Sequence, residues 1–189
     1  MTVTHLYPQD YTTSRWSGGT TTELLIRPRG AVYGQRDFLC RVSSATVELP
    51  ESTFTALPDY DRLIATLEGT ITLTHDGGAP LILTPYQVHP FDGGSHTVSF
   101  GRCRDFNLML RKGQATGELR TLQVMAPMAL DLFPAAKTVL LYCTEGACTV
   151  EGIALTFGES LLLEDVDVPS LSLRGDPAAR LMLAEIRYL

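Results

Sequence analysis

Two short stretches place charged and polar side chains at alternate positions. In LCRVSSA, Leu39, Arg41, Ser43 and Ala45 share one side of an extended chain, and in DFNLMLR, Asp105, Asn107, Met109 and Arg111 do the same. Guanidinium groups at Arg41 and Arg111 suit two-pronged capture of a carboxylate. Asp105 and Asn107 would take donors from the same ligand or hold the arginines in place. A salt-bridged strand surface explains the same pattern, and alternation alone does not separate the two readings.

Other candidates surround these. Asp59-Tyr60-Asp61-Arg62 opens an apolar run; its two carboxylates read as acid–base groups or as a turn with a local ion pair, and Arg62 joins the candidate anion ligands. RWSGGTTTEL, Arg15 to Leu24, holds the only tryptophan. Its Gly-Gly pair reverses the chain, and its threonines begin a strand. Trp16 then either covers an opening of the fold or plugs it as core, and Glu23 reaches inward or pairs with Arg41. The ligand-binding candidates are therefore Trp16, Glu23, Arg41, Ser43, Arg62, Asp105, Asn107 and Arg111.

Metal chemistry is not signalled. The histidines are His5, His75, His89 and His96, with no H-x-H pair and none in the second half. His89 and His96 flank PFDGGS seven positions apart, an odd spacing that places them on opposite faces of a regular strand. They read as loop or surface residues, so neither metal nor cofactor is expected. No nucleophile elbow, phosphate loop, dinucleotide fingerprint or zinc spacing occurs. Cys40, Cys103, Cys143 and Cys148 form no C-x-x-C pair and read as reduced structural thiols.

The elements that must position these groups are strands. Runs such as TTTELLIRP, FLCRVSSATVEL, RLIATLEGTITLTHDGG, HTVSFG and ARLMLAEIRYL recur between Gly, Pro and Asp breaks, a texture of sandwiches and barrels. Helical signal is confined to QVMAPMALDLF, Gln123 to Phe133, where Pro127 interrupts it, inside a stretch, Glu118 to Lys137, that reads as a connector. The halves on either side resemble each other. LEGTITL at Leu67 to Leu73 matches TEGACTV at Thr144 to Val150, and Asp105 to Arg111 matches Leu181 to Arg187. Strand, Glu-Gly turn and strand, with glycine supplying the positive φ, describe a cupin-type antiparallel β-barrel. The expected fold is all-β and duplicated, a bicupin, with an N-terminal barrel over 1–117 and a smaller half over 118–189.

Bulk properties exclude several partners. Of 189 residues, 44% are hydrophobic and 19% charged, which suits a packed core. The net charge of −6 and the scattered basic residues argue against nucleic acid. No apolar run approaches the roughly 20 residues of a membrane span. The N-terminal residues lack a basic-then-apolar pattern, so the expected location is cytoplasmic.

The blocks WSGGTTTEL, FLCRVSSATVE, ESTFTALPDYDRLIATLEG, PFDGG and GRCRDFNLMLR resemble, in order, those of the HutD/Ves family of cupin-like proteins, over about the first 60% of the chain. Many members carry Trp-x-Asn-Gly-Gly-Gly where this chain has Trp16-Ser17-Gly18-Gly19, and Pro-Gly where it has Pro58-Asp59-Tyr60. The resemblance implies a bicupin with a pocket in the N-terminal barrel and no established enzymatic activity. Some members are encoded with histidine-degradation enzymes and others are linked to stress responses. The first functional expectation is a metal-independent protein that binds a small carboxylate or amino-acid-like metabolite and regulates histidine catabolism or a stress response. The alternatives are a cupin-type isomerase or hydrolase with Glu23 or Asp105 as general base, and an interaction module. A homodimer is compatible with each.

Overall fold

The structure, a computed structural model, describes all residues from Met1 to Leu189. It is almost entirely extended. The strands are β1 (Thr2–Leu6), β2 (Thr12–Trp16), β3 (Gly19–Arg27), β4 (Cys40–Val47), β5 (Glu51–Thr53), β6 (Tyr60–Glu68), β7 (Ile71–His75), β8 (Leu81–Leu83) and β9 (His89–Asp92). They continue with β10 (Thr97–Phe100), β11 (Cys103–Arg111), β12 (Ala115–Val124), β13 (Met128–Asp131), β14 (Thr138–Val150), β15 (Ile153–Thr156), β16 (Ser160–Glu164) and β17 (Ser170–Tyr188). Helix is limited to two 3₁₀ turns, Pro8–Asp10 and Tyr33–Gln35. No helix is long and apolar enough to cross a membrane.

The chain divides into two compact units. A central unit comprises Thr12–Ala115, and a terminal unit comprises Met1–Tyr11 with Thr116–Leu189. The first eleven residues thus leave the N-terminal half to which sequence reasoning assigned them. The reason is pairing: β1 runs antiparallel to β16, with Val3 opposite Leu163 and His5 opposite Leu161. Tyr11 reinforces the attachment through its hydroxyl, 2.6 Å from Ser160 Oγ.

The central unit has two sheets. One has six strands in the order β2-β3-β4-β11-β6-β9, and the other four in the order β5-β10-β7-β8. Val47, Ile64 and Cys103 of the first form a core with Ile71, Leu73 and Leu83 of the second, so these faces look at each other. Neither sheet closes on itself, which corrects the expected barrel. Strand β9 ends the larger sheet, and its Pro90 has no N–H to offer a further strand.

The terminal unit is one seven-stranded sheet, ordered β1-β16-β14-β17-β12, with β13 on β17 and β15 on β14. Its core is leucine-rich: Leu141, Leu155, Leu161, Leu163, Leu181 and Leu183 are all fully buried. The expected connector is two strands, β12 and β13, with no helical turn at Gln123–Phe133. Leu130 of β13 lies opposite Leu171, a partner 41 residues away that local periodicity does not report.

One backbone device recurs. Gly69 (φ 79°) and Gly146 (φ 70°) both follow a glutamate. A Cβ at Gly69 would lie 2.4 Å from the Arg102 carbonyl oxygen, and one at Gly146 would lie 2.1 Å from that of Ala178. Glycine is needed at each for the dihedral and for the close approach. The surroundings differ: Gly69 turns the chain between β6 and β7, whereas β14 runs on through Gly146 with register irregularities.

Candidate functional site

Alternation in three adjacent strands builds the site. Arg41 and Ser43 of β4, Asp105 and Asn107 of β11, and Arg62 and Thr66 of β6 occupy one face of the six-stranded sheet. The register places Asp105 beside Ala45 and Thr66, Asn107 beside Ser43 and Ile64, and Met109 between Arg41 and Arg62. Strand β3 adds Glu23 opposite Ser43. Ile64 belongs to the core between the two sheets, so this polar row faces inward. The row is buried: Arg41 keeps 6% of its surface, Arg62 7%, Asp105 8% and Asn107 5%.

The two arginines are held differently. Arg41 Nε donates to Glu23 Oε2 at 2.7 Å, Nη1 donates to Ser43 Oγ at 3.1 Å, and the guanidinium lies 4.3 Å from the ring centre of Tyr33. Arg62 sits between aromatic rings, 4.9 Å from Phe54 and 5.0 Å from Phe91, and its Nε has no hydrogen-bond partner. Burial lowers its pKa to about 10, against the favourable influence of Tyr33 and Asp105. Asp105 accepts a hydrogen bond at Oδ1 from the Ala45 amide at 3.1 Å. Burial pushes its carboxyl up to about 6, although that amide and both arginines pull the other way. Thr66 Oγ1 and Asn107 Oδ1 are buried and unpaired as well. Three orphaned polar atoms on adjacent strands depart from the rule that buried polar groups find partners.

Six of the residues singled out from sequence are therefore brought together: Glu23, Arg41, Ser43, Arg62, Asp105 and Asn107. Two are not. Trp16 lies at the β2–β3 turn opposite Gly19, is 39% exposed and rests its ring where a Cβ of Gly18 would sit. Arg111 shares the parity of Asp105 but lies six residues along β11, about 20 Å on an extended strand. Its Nη1 donates to the Arg36 carbonyl at 3.1 Å, beside Tyr60. The pairing of Arg41 with Arg111 expected from sequence is replaced by one between Arg41 and Arg62, across Met109. In Asp59-Tyr60-Asp61-Arg62, alternation turns Tyr60 and Arg62 inward and leaves Asp61 exposed, so its carboxylates do not meet at the site.

Tyr33, Phe54, Phe91 and Thr66 were not anticipated. Tyr33 lies in the loop between β3 and β4, where no periodicity marks it. The histidines also differ from expectation. His89 meets His75, not His96, with Nε2 atoms 2.9 Å apart. No three His, Cys, Asp or Glu side chains converge as a metal-binding group. All four cysteines are buried and none forms a disulfide.

The terminal unit presents the same register with different chemistry. Asp105 and Asn107 lie opposite Thr66 and Ile64, and Leu181 and Leu183 lie opposite Cys143 and Leu141. Met109 faces Arg62 where Glu185 faces Val139. The positions that carry arginine, aspartate and asparagine in the central unit are thus valine and leucine in the terminal one, all fully buried.

Comparison with known proteins places these features. The HutD family model matches residues 8–183. A conserved protein of unknown function from Pseudomonas aeruginosa PAO1 is 24% identical and superposes with a TM-score of 0.85, over 99% of this chain and 100% of its own. HutD from Pseudomonas fluorescens SBW25 (formate condition) is 26% identical, with a TM-score of 0.81 over 100% of both chains. A cupin 2 conserved barrel domain protein from Leptotrichia buccalis is 12% identical, with a TM-score of 0.61 over 99% of this chain and 98% of its own. No curated protein matches the sequence.

Proposed function

The chain belongs to the HutD family, and we propose that its central unit is a metal-independent receptor for a small carboxylate or amino-acid-like metabolite, held in a duplicated cupin chain in the cytoplasm. The observation that carries this reading is Arg62, a buried guanidinium with an unpartnered Nε on the same sheet face as the unpartnered Asn107 Oδ1 and Thr66 Oγ1. A carboxylate takes the donors of Arg62 and the free edge of Arg41. An amide, imine or ammonium group on the same molecule satisfies Asn107 and Asp105. Glu23 and Ser43 fix Arg41 so that little side-chain entropy remains to be lost on binding. The family name supports a place in histidine utilisation, as a sensor or buffer of an intermediate. The matching register and the recurring Glu-Gly contact support duplication, with one unit retaining polar chemistry.

A second reading has an observation of its own. A buried carboxyl with its pKa near 6, as at Asp105, suits a general base. That reading predicts turnover and a rate that falls below about pH 6.

The test is a thermal-shift and calorimetric screen of the full chain against urocanate, formylglutamate, formiminoglutamate, histidine, glutamate and simple dicarboxylates. A ligand at 100 times its Kd adds about 2.7 kcal/mol of stability. The reading requires such a shift with a carboxylate, and its loss in Arg62→Met and Arg41→Met. No response to any carboxylate, or a response indifferent to both substitutions, rejects it.

A further inference from the structure

The His75–His89 contact lies outside the polar row and joins the two sheets of the central unit. His75 closes β7 of the four-stranded sheet, and His89 opens β9 at the edge of the six-stranded one. The ring centroids are 5.1 Å apart although the facing nitrogens are only 2.9 Å apart, so the imidazoles meet edge to edge. His75 Nδ1 lies 2.8 Å from the buried hydroxyl of Thr97 on β10. Phe91 lies against both rings, at 4.9 Å from His75 and 6.0 Å from His89.

Two ring nitrogens at this distance share one proton, as N–H···N. One added proton leaves the bridge intact. A second puts hydrogens on both nitrogens and sets two cations against each other. Burial already disfavours the charged form of both rings, and His75 further disfavours it on His89. Of the charged groups around the pair, Asp76 favours protonation of His75, but its Oδ1 is engaged by the His96 amide. Asp92 on β9 is committed to Lys112, and Arg62 on β6 stands positive across Phe91. His96 is exposed.

We propose that the His75–His89 bridge is a proton-operated latch, fastening β9 to the four-stranded sheet at neutral pH and releasing it on acidification. The bridged rings span sheets that share no ladder hydrogen bonds at β9, so the bridge is a polar tie beside the apolar packing of Phe91 on the core between the sheets. Since the folded pair takes up protons less readily than free imidazole, its contribution is present above about pH 6.5 and is lost as pH falls. Phe91 is one of the rings beside Arg62, so release reaches the site proposed above, but the latch does not rest on that reading.

Residue-resolved NMR of the full chain, without ligand, tests the latch. Near neutral pH, one Nε2 of the pair carries a proton and the other is bare. Between about pH 7.5 and about pH 5, amide exchange at Phe91 and Asp92, corrected for intrinsic rates, should speed by about tenfold or more as the bridge opens. Amides of β11 should hold. In His89→Gln, which bonds without titrating, the β9 response should vanish. Should that variant fail to fold, the wild-type titration stands alone. Two histidines titrating independently near 6.5, with β9 protection unchanged, would overturn the proposal.

Discussion

Replacing Arg62 and Asp105 together, as Arg62→Met with Asp105→Asn, should make the protein more stable while removing the proposed carboxylate binding. Burial lowers the pKa of Arg62 from its ordinary value to about 10 and raises that of Asp105 to about 6. At about 1.4 kcal/mol per tenfold change in proton affinity, each charge costs the fold on the order of 3 kcal/mol at neutral pH. Their mutual attraction is counted in both figures, so the joint cost is not overstated. Against this stand the aromatic contacts of Arg62, worth about 1 kcal/mol for each of the two rings. Met fills the gap between Phe54 and Phe91 with favourable sulfur–aromatic contact, and Asn keeps an oxygen for the Ala45 amide. Buried ion pairs replaced by well-packed neutral groups gain about 1–4 kcal/mol, so about 2 kcal/mol is expected here. For a chain of this size that raises Tm by roughly 4–8 °C. The sign with pH is fixed as well. Asp105 binds its proton more tightly in the folded state, so its cost lifts as pH falls through about 6, and the advantage of the variant shrinks there. Paired thermal melts at about pH 7.5 and about pH 5 measure both effects. An unchanged or lowered Tm at neutral pH would mean that the two charges hold the fold together, and the argument for a site built to bind would fail.

Two further predictions concern the fold. Gly19→Ala places a Cβ 1.8 Å from the Thr46 carbonyl oxygen at a φ of 148°, and should cost about 2–4 kcal/mol in urea denaturation, whereas Gly18→Ala meets only movable side chains, the Trp16 ring and the end of Leu49, and should chiefly shift the emission of the single tryptophan. Burial pushes the thiols of Cys103 and Cys148 up to about 12 and that of Cys143 up to about 11, so all three should resist a thiol reagent at neutral pH until denaturant is added.

Sequence reasoning reached part of this because a strand's period is local. Alternation alone groups Arg41 with Ser43 and Asp105 with Asn107. It does not say which face is inward, since that depends on Ile71, Leu73 and Leu83 arriving from another sheet. It also carries no distance along the strand, so Arg111 looked equivalent to Asp105 although Met109 intervenes. Tyr33 and the His75–His89 bridge were invisible for a related reason: their partners come from loops and edges joined only by the tertiary fold. Strands β12 and β13 were read as a connector because their apolar residues are diluted by charge, and their partner, β17, lies far along the chain.

The terminal unit supplies an internal comparison that sharpens the functional argument. With Leu181 and Leu183 opposite Cys143 and Leu141, it fills the positions of Asp105, Asn107, Thr66 and Ile64 without charge, and the buried Glu185 farther along the row is paired with Arg120. A sheet of this register therefore has no structural need for Asp105, Asn107 or Arg62. In the central unit those residues leave three buried polar atoms without partners, a burden that leucine would avoid. Buried charge that the fold neither requires nor fully pairs is what the proposed binding role accounts for. The row does not behave as a salt-bridged surface, since only Arg41 has a carboxylate in contact, and that carboxylate, Glu23, leaves Arg62 free.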